Sequence, residues 1–126
     1  CKIMVRLKSV ADSSFYLNHD KSTSSSQNSS AAGNTWEIIH ANGGLYILKV
    51  ANKEKYMRVA ENESSLTVEG TGKVIKWKVI KTLSNLKFIA PELNNKMLTQ
   101  DPEDHSFKLL SDGMGTEFEV EKNMNK

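Results

Sequence analysis

The middle third of the sequence is its most basic part. Residues 43–83 contain eight Lys or Arg against four Asp or Glu, a net charge of +4 in a chain of net charge +2. Cations gathered in this way favour fast, salt-sensitive association with an acidic partner. The candidate binding residues of this basic surface are Lys49, Lys53, Lys55, Arg58, Lys73, Lys76, Lys78 and Lys81.

Acidic side chains in predicted turns form a second candidate set. Asp20, Glu61 and Asp101 come at similar places in three turns, and their carboxylates could accept hydrogen bonds from sugar hydroxyls. Residues 84–124 hold eight Asp or Glu against four Lys or Arg, a net charge of −4. The run 101–105 lacks the ligand spacing of an EF-hand loop, so we predict a solvated turn, no metal ion and no cofactor.

Catalytic motifs are missing from the sequence. It has no Gly-x-Ser-x-Gly, no His-Glu-x-x-His and no phosphate-binding glycine loop. The three histidines, His19, His40 and His105, fall in separate segments. We therefore predict a non-enzymatic protein. The pI of about 8.6 is only mildly basic, and the aromatic residues are predicted to lie in the core, so we predict no nucleic-acid partner.

These residues are positioned by a repeat of 41 residues, which is the strongest pattern in the chain. Four apolar columns recur at that interval, and so large a coincidence is not expected in a sequence this polar. The columns are Met4, Leu45 and Leu86; Leu7, Leu48 and Ile89; Trp36, Trp77 and Phe118; and Ile38, Val79 and Val120. We predict one domain over residues 1–126, with repeats at about 2–42, 43–83 and 84–124.

Each repeat reads as four short strands separated by turns. Gly43 and Gly44 are typical of a tight hairpin turn, and Ile75, Trp77 and Val79 alternate with lysines as in a half-buried strand. No stretch keeps a helical period, so the chain is predicted to be all-β. Predicted strands are 4–7, 15–17, 34–39, 45–50, 56–59, 66–68, 74–80, 86–89, 97–98, 107–110 and 118–120.

Repeat one departs from the pattern at its third strand. Leu66 and Phe107 correspond to Ser25, and the run 21–30 has little to bury. We therefore expect a mobile surface loop there, with the third strand weak or missing. We also expect the last residues, 123–126, to be frayed.

Three such repeats cannot each bury an apolar face alone, so they must share a core. The arrangement resembles the β-trefoil, a short barrel capped by a triangle of hairpins around a pseudo-threefold axis. The resemblance implies that Trp36, Trp77 and Phe118 are symmetric core residues near that axis, together with Met4, Leu45 and Leu86.

Within trefoils, repeat two is similar to fascin and hisactophilin repeats. Gly43-Gly44-x-x-x-Leu48-Lys49 precedes Lys55-Tyr56-Met57, which matches a glycine turn, a hydrophobic strand and an aromatic–aliphatic pair. The match is partial at 15–17, and Met97-Leu98 replaces the pair in repeat three. The resemblance implies binding to filamentous actin through the basic surface. Hisactophilin's histidine clusters are absent, so its pH-switched membrane behaviour is not carried over.

Two other classes of function stay open. The first is a carbohydrate-binding lectin that uses Asp20, Glu61 and Asp101, although only Asn34-Thr35-Trp36 echoes the ricin-type Gln-x-Trp motif. The second is a secreted signalling protein of the interleukin-1 or fibroblast-growth-factor kind. It is suggested by the glycosylation sequons at Asn28 and Asn62, a pattern that is frequent by chance.

The sequence also bears on compartment and assembly. The single cysteine, Cys1, cannot form an internal disulfide, which fits a reducing compartment. Cys1 in first place is compatible with a processed end or with an excised domain. No apolar run approaches the ~20 residues of a transmembrane helix. We predict a cytoplasmic monomer whose partner is a protein, or a glycan in the lectin alternative.

Overall fold

The computed structural model describes residues 4–21, 24–111 and 115–122, which contain twelve β-strands and no α-helix. Cys1, residues 22–23 of the predicted surface loop and residues 123–126, on which predictions were made, lie outside these residues. The strands are β1 Met4–Ser9, β2 Tyr16–Leu17, β3 Ser25–Ser26, β4 Thr35–His40, β5 Tyr46–Val50, β6 Arg58–Val59, β7 Leu66–Thr67, β8 Lys78–Lys81, β9 Leu86–Ala90, β10 Lys96–Gln100, β11 Phe107–Leu110 and β12 Phe118–Lys122.

Six of these strands close into a ring. β1 pairs with β12 and β4, β5 pairs with β4, and β9 pairs with β8 and β12. A bridge between Tyr46 and Trp77 completes the ring between β5 and the approach to β8. The other six strands form three hairpins, β2–β3, β6–β7 and β10–β11. A barrel with three capping hairpins is the predicted architecture.

The core is built from the predicted aromatic column. Trp36, Trp77 and Phe118 are each fully buried, and the apolar cluster around them draws on all three repeats. Alternation places these residues inward because successive side chains of a strand point to opposite faces. The predicted alternation near Trp77 is confirmed, since Ile75 is buried and Lys78 is exposed.

One predicted column of core residues on the first strand of each repeat is wrong by one residue in repeat three. The register pairs Leu48 with Ile38 and Phe88 with Val79, so Phe88, not Ile89, is the core residue equivalent to Leu48. The reason is a shorter connection: five residues join β4 to β5, but four join β8 to β9. Of the other predicted core column, Met4, Leu45 and Leu86 are only half-buried.

Repeat one does contain a third strand. β3 pairs with β2 through Leu17–Ser25 and Tyr16–Ser26, and the three residues Ser24 to Ser26 are buried. The expectation of a surface loop is therefore wrong at these residues. Their backbone groups are satisfied by pairing, for example the Asn18 N–H donates to the Ser24 carbonyl at 3.0 Å. The strand is only two residues long, which agrees with the prediction that the third strand of this repeat is weak.

Candidate ligand-binding cleft

A polar cleft of about 280 Å³ lies between the hairpins of repeats one and two. One wall is formed by residues 18–21 and Ser24, and the opposite wall runs from Leu66 to Glu69. Trp36 and Met57, both buried, lie at its apolar floor. The volume is just below the range of about 300–1,000 Å³ that small-molecule sites occupy, so the cleft suits a small ligand.

Buried amides hold the repeat-one wall in place. Asn18 Nδ2 donates to Asn34 Oδ1 at 2.8 Å, and Asn34 Nδ2 donates to the Asn28 carbonyl at 2.8 Å. Asn18 Oδ1 accepts from the Asp20 N–H at 2.7 Å, so the Asp20 backbone is tied to the same network. Gly33 completes the packing, because a Cβ there would lie 2.8 Å from Asn18 Nδ2 and 2.7 Å from Asp20 Oδ2.

His19 links this wall to the floor. Its ring packs edge-on against Trp36 at 5.1 Å, its Nε2 lies 3.0 Å from the Thr35 carbonyl, and its Nδ1 lies 3.2 Å from Asp20 Oδ1. Both neighbouring oxygens only accept hydrogen bonds, so only the imidazolium can donate to both. Burial lowers the pKa of His19 despite the nearby carboxylate. The neutral ring can donate only one of these two bonds, and the Asp20 side chain is 63% exposed, so its carboxylate is accessible to a ligand.

The opposite wall carries a second carboxylate. Glu69 Oε2 pairs with Lys55 Nζ at 2.6 Å, and both side chains are largely exposed. The Glu69 N–H donates to Thr67 Oγ1 at 3.0 Å, which fixes the backbone at this point. With Asp20 and Lys21 across the gap, the cleft presents acceptors and a cation to one ligand.

The equivalent junction between repeats two and three is closed. There the Leu109 N–H donates to the Ser64 carbonyl at 2.8 Å, and Lys96 Nζ donates to the Glu63 carbonyl at 2.9 Å. These bonds join the turn of one hairpin directly to a strand of the next, in the place where repeats one and two leave room. The cleft is therefore not present at every junction of the fold.

Lys49 was wrongly assigned to an exposed basic surface. Its side chain is 7% exposed, and Nζ lies 3.4 Å from Oε2 of Glu37, which is 5% exposed. The two residues are direct partners across β4 and β5. The same carboxylate oxygen accepts from the Asn52 N–H at 3.0 Å, so Lys49 neutralises a buried charge and cannot meet a partner.

The other seven cations of the predicted surface divide into two groups. Lys55 pairs with Glu69, Arg58 Nη1 donates to the Gly72 carbonyl at 2.7 Å, and Lys73 lies 3.3 Å from Glu92 Oε1. The second group keeps its charge towards solvent and consists of Lys53, Lys76, Lys78 and Lys81, of which all but the half-buried Lys76 are exposed. The basic surface is thus narrower than the sequence suggests.

The three candidate sugar-binding acids do not share one environment. Asp20 lines the cleft, whereas Glu61 is an exposed turn residue outside it. Asp101 is occupied within its own turn, since Oδ1 accepts from the Glu103 N–H at 2.8 Å and Oδ2 pairs with Lys108 at 3.0 Å. The backbone hydrogen bond and Lys108 lower the pKa of Asp101. Of the three acids, only Asp20 lines the cleft.

Sequence reasoning missed most of the cleft: it did not single out Asn18, Lys21 or Glu69 as binding residues. The usable signal was the small Ser25 in place of Leu66 and Phe107, because a missing core side chain implies space nearby. Across residues 4–21, 24–111 and 115–122, no group of three His, Cys, Asp or Glu could hold a metal ion. No helix in that part of the chain is long and apolar enough to span a membrane.

Comparison with known proteins identifies the fold. No protein-family model and no curated protein matches the sequence. A designed threefold-symmetric protein, ThreeFoil, is 15% identical with a TM-score of 0.70, over 93% of this chain and 96% of that one. A mosquitocidal holotoxin is 15% identical with a TM-score of 0.71, over 95% of this chain but only 17% of that one. The narrower resemblance to fascin and hisactophilin is tested by neither likeness. With the closed ring and its three hairpins, these likenesses confirm that the chain has the predicted β-trefoil fold.

Proposed function

We propose that this protein is a non-enzymatic binding module that takes a small carbohydrate in the cleft between repeats one and two. The observation that carries the proposal is the convergence of Asp20 and Glu69 on one small cavity with a rigid wall. Sugar hydroxyls both donate and accept, so they match a site that offers carboxylate acceptors and the Lys21 ammonium. The ligand is held by hydrogen bonds, because Trp36 is fully buried and offers no ring face for stacking.

Pre-organisation supports this choice of site. The Asn18–Asn34 network fixes the backbone that carries Asp20, so little conformational entropy is lost when a ligand binds. The Asp20 carboxylate itself is exposed, so it can reach a ligand without breaking the fold.

The test is a glycan array followed by titration of the best binder. Trp36 lines the cleft, so its fluorescence is expected to change on binding. Asp20→Ala should abolish binding, because it removes the central acceptor. Glu61→Ala is the matched control: it removes an exposed turn acid outside the cleft and should leave binding unchanged.

Two results would overturn the proposal. The first is an array without any signal. The second is equal loss of binding in Asp20→Ala and Glu61→Ala, since that would place the ligand elsewhere. Thermal melting of each variant verifies folding, and both substitutions remove exposed side chains whose loss is expected to cost less than about 0.5 kcal/mol.

Binding to filamentous actin is the second candidate, supported by Lys53, Lys76, Lys78 and Lys81, the four solvent-facing cations of the basic surface. Such contacts would be screened by salt. Co-sedimentation with actin filaments at low and moderate salt tests it, with Lys76→Glu/Lys78→Glu as the variant that should lose binding. Absence of the protein from every pellet would remove this candidate.

A further inference from the structure

Leu83 is the most exposed large apolar side chain in the described part of the chain. It lies at the tip of the β8–β9 hairpin and is fully exposed, at 102% of its reference area. The other exposed large apolar residue there, Val10, is 47% exposed. A lone exposed leucine is ordinary on a protein surface, so its surroundings decide whether it has a role.

The tip that carries Leu83 is held by three hydrogen bonds. The Thr82 N–H donates to the Asn85 carbonyl at 2.9 Å, which closes the turn. Thr82 Oγ1 and Asn85 Nδ2 both donate to Glu117 Oε1, at 3.2 and 3.1 Å. Glu117 thus braces the turn from outside the hairpin, and Leu83 is presented at a fixed position.

The chain segment of the hairpin and its approach contains no acidic residue, and the one carboxylate described against the turn, that of Glu117, accepts hydrogen bonds from Thr82 and Asn85. Residues 70–91 contain five lysines and no Asp or Glu. Lys78 and Lys81 are exposed. Across the strands, Lys78 pairs with Ile89 and Ile80 pairs with Lys87, so the outer face alternates cations with half-exposed isoleucines. Positive charge and apolar surface are therefore interleaved beside the exposed leucine.

We propose that the β8–β9 hairpin docks on an anionic phospholipid surface. Leu83 enters the headgroup layer while Lys81, two residues from Leu83, lies against lipid phosphates, and Lys78 adds positive charge on the opposite face of β8. Interfacial binding of this kind combines an apolar insertion with attraction to anionic lipid, each weak alone. A lipid layer also adapts to a convex apolar tip, whereas a folded acidic protein would need a matching pocket. This surface is separate from the cleft, so the proposal does not depend on carbohydrate binding.

The experiment is sedimentation of the whole chain with phosphatidylcholine vesicles, with or without phosphatidylserine. The protein should pellet with the phosphatidylserine vesicles at low salt, and less at high salt, because screening weakens lysine–phosphate attraction. Leu83→Ser should weaken the binding roughly tenfold, since the apolar insertion is lost. Lys81→Glu should weaken it at least as much.

Two matched controls keep the test specific. Lys53→Glu makes the same charge change on an exposed turn outside the hairpin and should bind vesicles nearly as well as the parent chain. Asp20→Ala, altered in the cleft, should bind them as well as the parent. Lys53→Glu and Asp20→Ala therefore separate failure of this proposal from failure of the carbohydrate site.

Three outcomes would overturn the proposal: no binding to phosphatidylserine vesicles at low salt, full binding by Leu83→Ser, or equal loss in Lys53→Glu. Unchanged binding by Leu83→Ser would indicate general charge attraction without insertion. Pelleting with actin filaments but not with vesicles, lost in Leu83→Ser, would assign the hairpin to a protein partner instead.

Discussion

The hairpins β2–β3 and β10–β11 occupy equivalent places in the fold but are stabilised in different ways. In β10–β11, the residue facing Gln100 is Phe107, which is buried and packs against Phe118 at 5.4 Å. In β2–β3, the residue at the same place in the 41-residue repeat is Ser25, which faces Leu17. There the partner of the core aromatic Trp36 is the ring of His19, supplied by the turn.

This difference shows how one repeat can specialise without losing the fold. Replacing a core aromatic by serine removes apolar packing, and the Asn18–Asn34–Asn28 network takes over part of the stabilisation. Such a network needs its polar partners to be satisfied, which restricts the turn to one geometry. Repeat one therefore contributes fewer apolar atoms to the core and has a rigid polar wall beside the cleft.

The largest expected effect on stability comes from removing the buried aromatic ring of β11. Phe107→Ala should lower the free energy of unfolding by about 3–5 kcal/mol, because a buried aromatic is lost and a cavity remains. Ser25→Ala should cost no more than about 1.5 kcal/mol, the value of a hydrogen bond. Urea unfolding measures both, and similar costs would contradict the proposed difference between the hairpins.

The next largest effect on stability is expected from breaking the polar network of repeat one. Asn34→Ala should cost about 1–3 kcal/mol, because it leaves the buried Asn18 amide without its acceptor. The equivalent residue in repeat three, Thr116, accepts from the Gln100 N–H at 2.7 Å through a single hydroxyl. Thr116→Val also leaves one buried donor without its acceptor, but it breaks one hydrogen bond where Asn34→Ala breaks two, so it should cost less in the same assay. A larger cost for Thr116→Val would argue against a special role of the repeat-one network.

The two hairpins should respond to acid in different pH ranges. The pKa of His19 is lowered from 6.5 in the folded state. The stability that the neutral ring contributes is therefore fully present above about pH 6.5 and decreases as the pH drops below that value. The pKa of Asp101 is lowered from 3.8 in the folded state. The stability that its carboxylate contributes is therefore kept until the pH falls below about 3.8. His19→Gln should therefore flatten the stability profile as the pH falls below about 6.5, whereas Asp101→Asn should flatten it only below about pH 4.

Unfolding titrations across this range measure both slopes. A parent chain whose stability does not decrease as the pH falls below about 6.5 would contradict the assignment to His19.

The smallest effect is expected at the exposed ion pairs of β10–β11. Lys108 lies 3.0 Å from Asp101 and 3.6 Å from Asp104, and all three side chains are at least a quarter exposed. Lys108→Met should change the free energy of unfolding by less than about 1 kcal/mol, since solvent screens such pairs. Thermal melting is sufficient to measure it, and a loss as large as that of Asn34→Ala would show that the turn depends on charge.

The elements that follow a local period were predictable. Alternation placed Trp36, Trp77 and Phe118 in the core, and the glycines at 43 and 44 take the positive φ of a turn. Residues whose surroundings depend on distant partners were not predictable. Lys49 reads as a surface lysine until β4 places Glu37 opposite it. One residue fewer between β8 and β9 shifts Phe88 into the core, a change that a fixed interval cannot show.

The cleft was unpredictable for the same reason. The cleft forms because the turn of repeat one lies opposite β7 in the fold. The residues next to Asp20 and Glu69 in the sequence do not show that these two segments are neighbours. The serine at position 25 indicated a gap in the core, but the size and lining of the gap are set by His19, whose ring position depends on Trp36.

The bond between the Leu109 N–H and the Ser64 carbonyl also limits valency. Because it occupies the junction of repeats two and three, the chain cannot carry a copy of the cleft on each of its pseudosymmetric sides. A protein with fewer than three sites gains little avidity from the threefold axis alone. Tight attachment to a densely glycosylated surface would then require several copies of the chain, or a second weak contact such as the leucine-tipped hairpin.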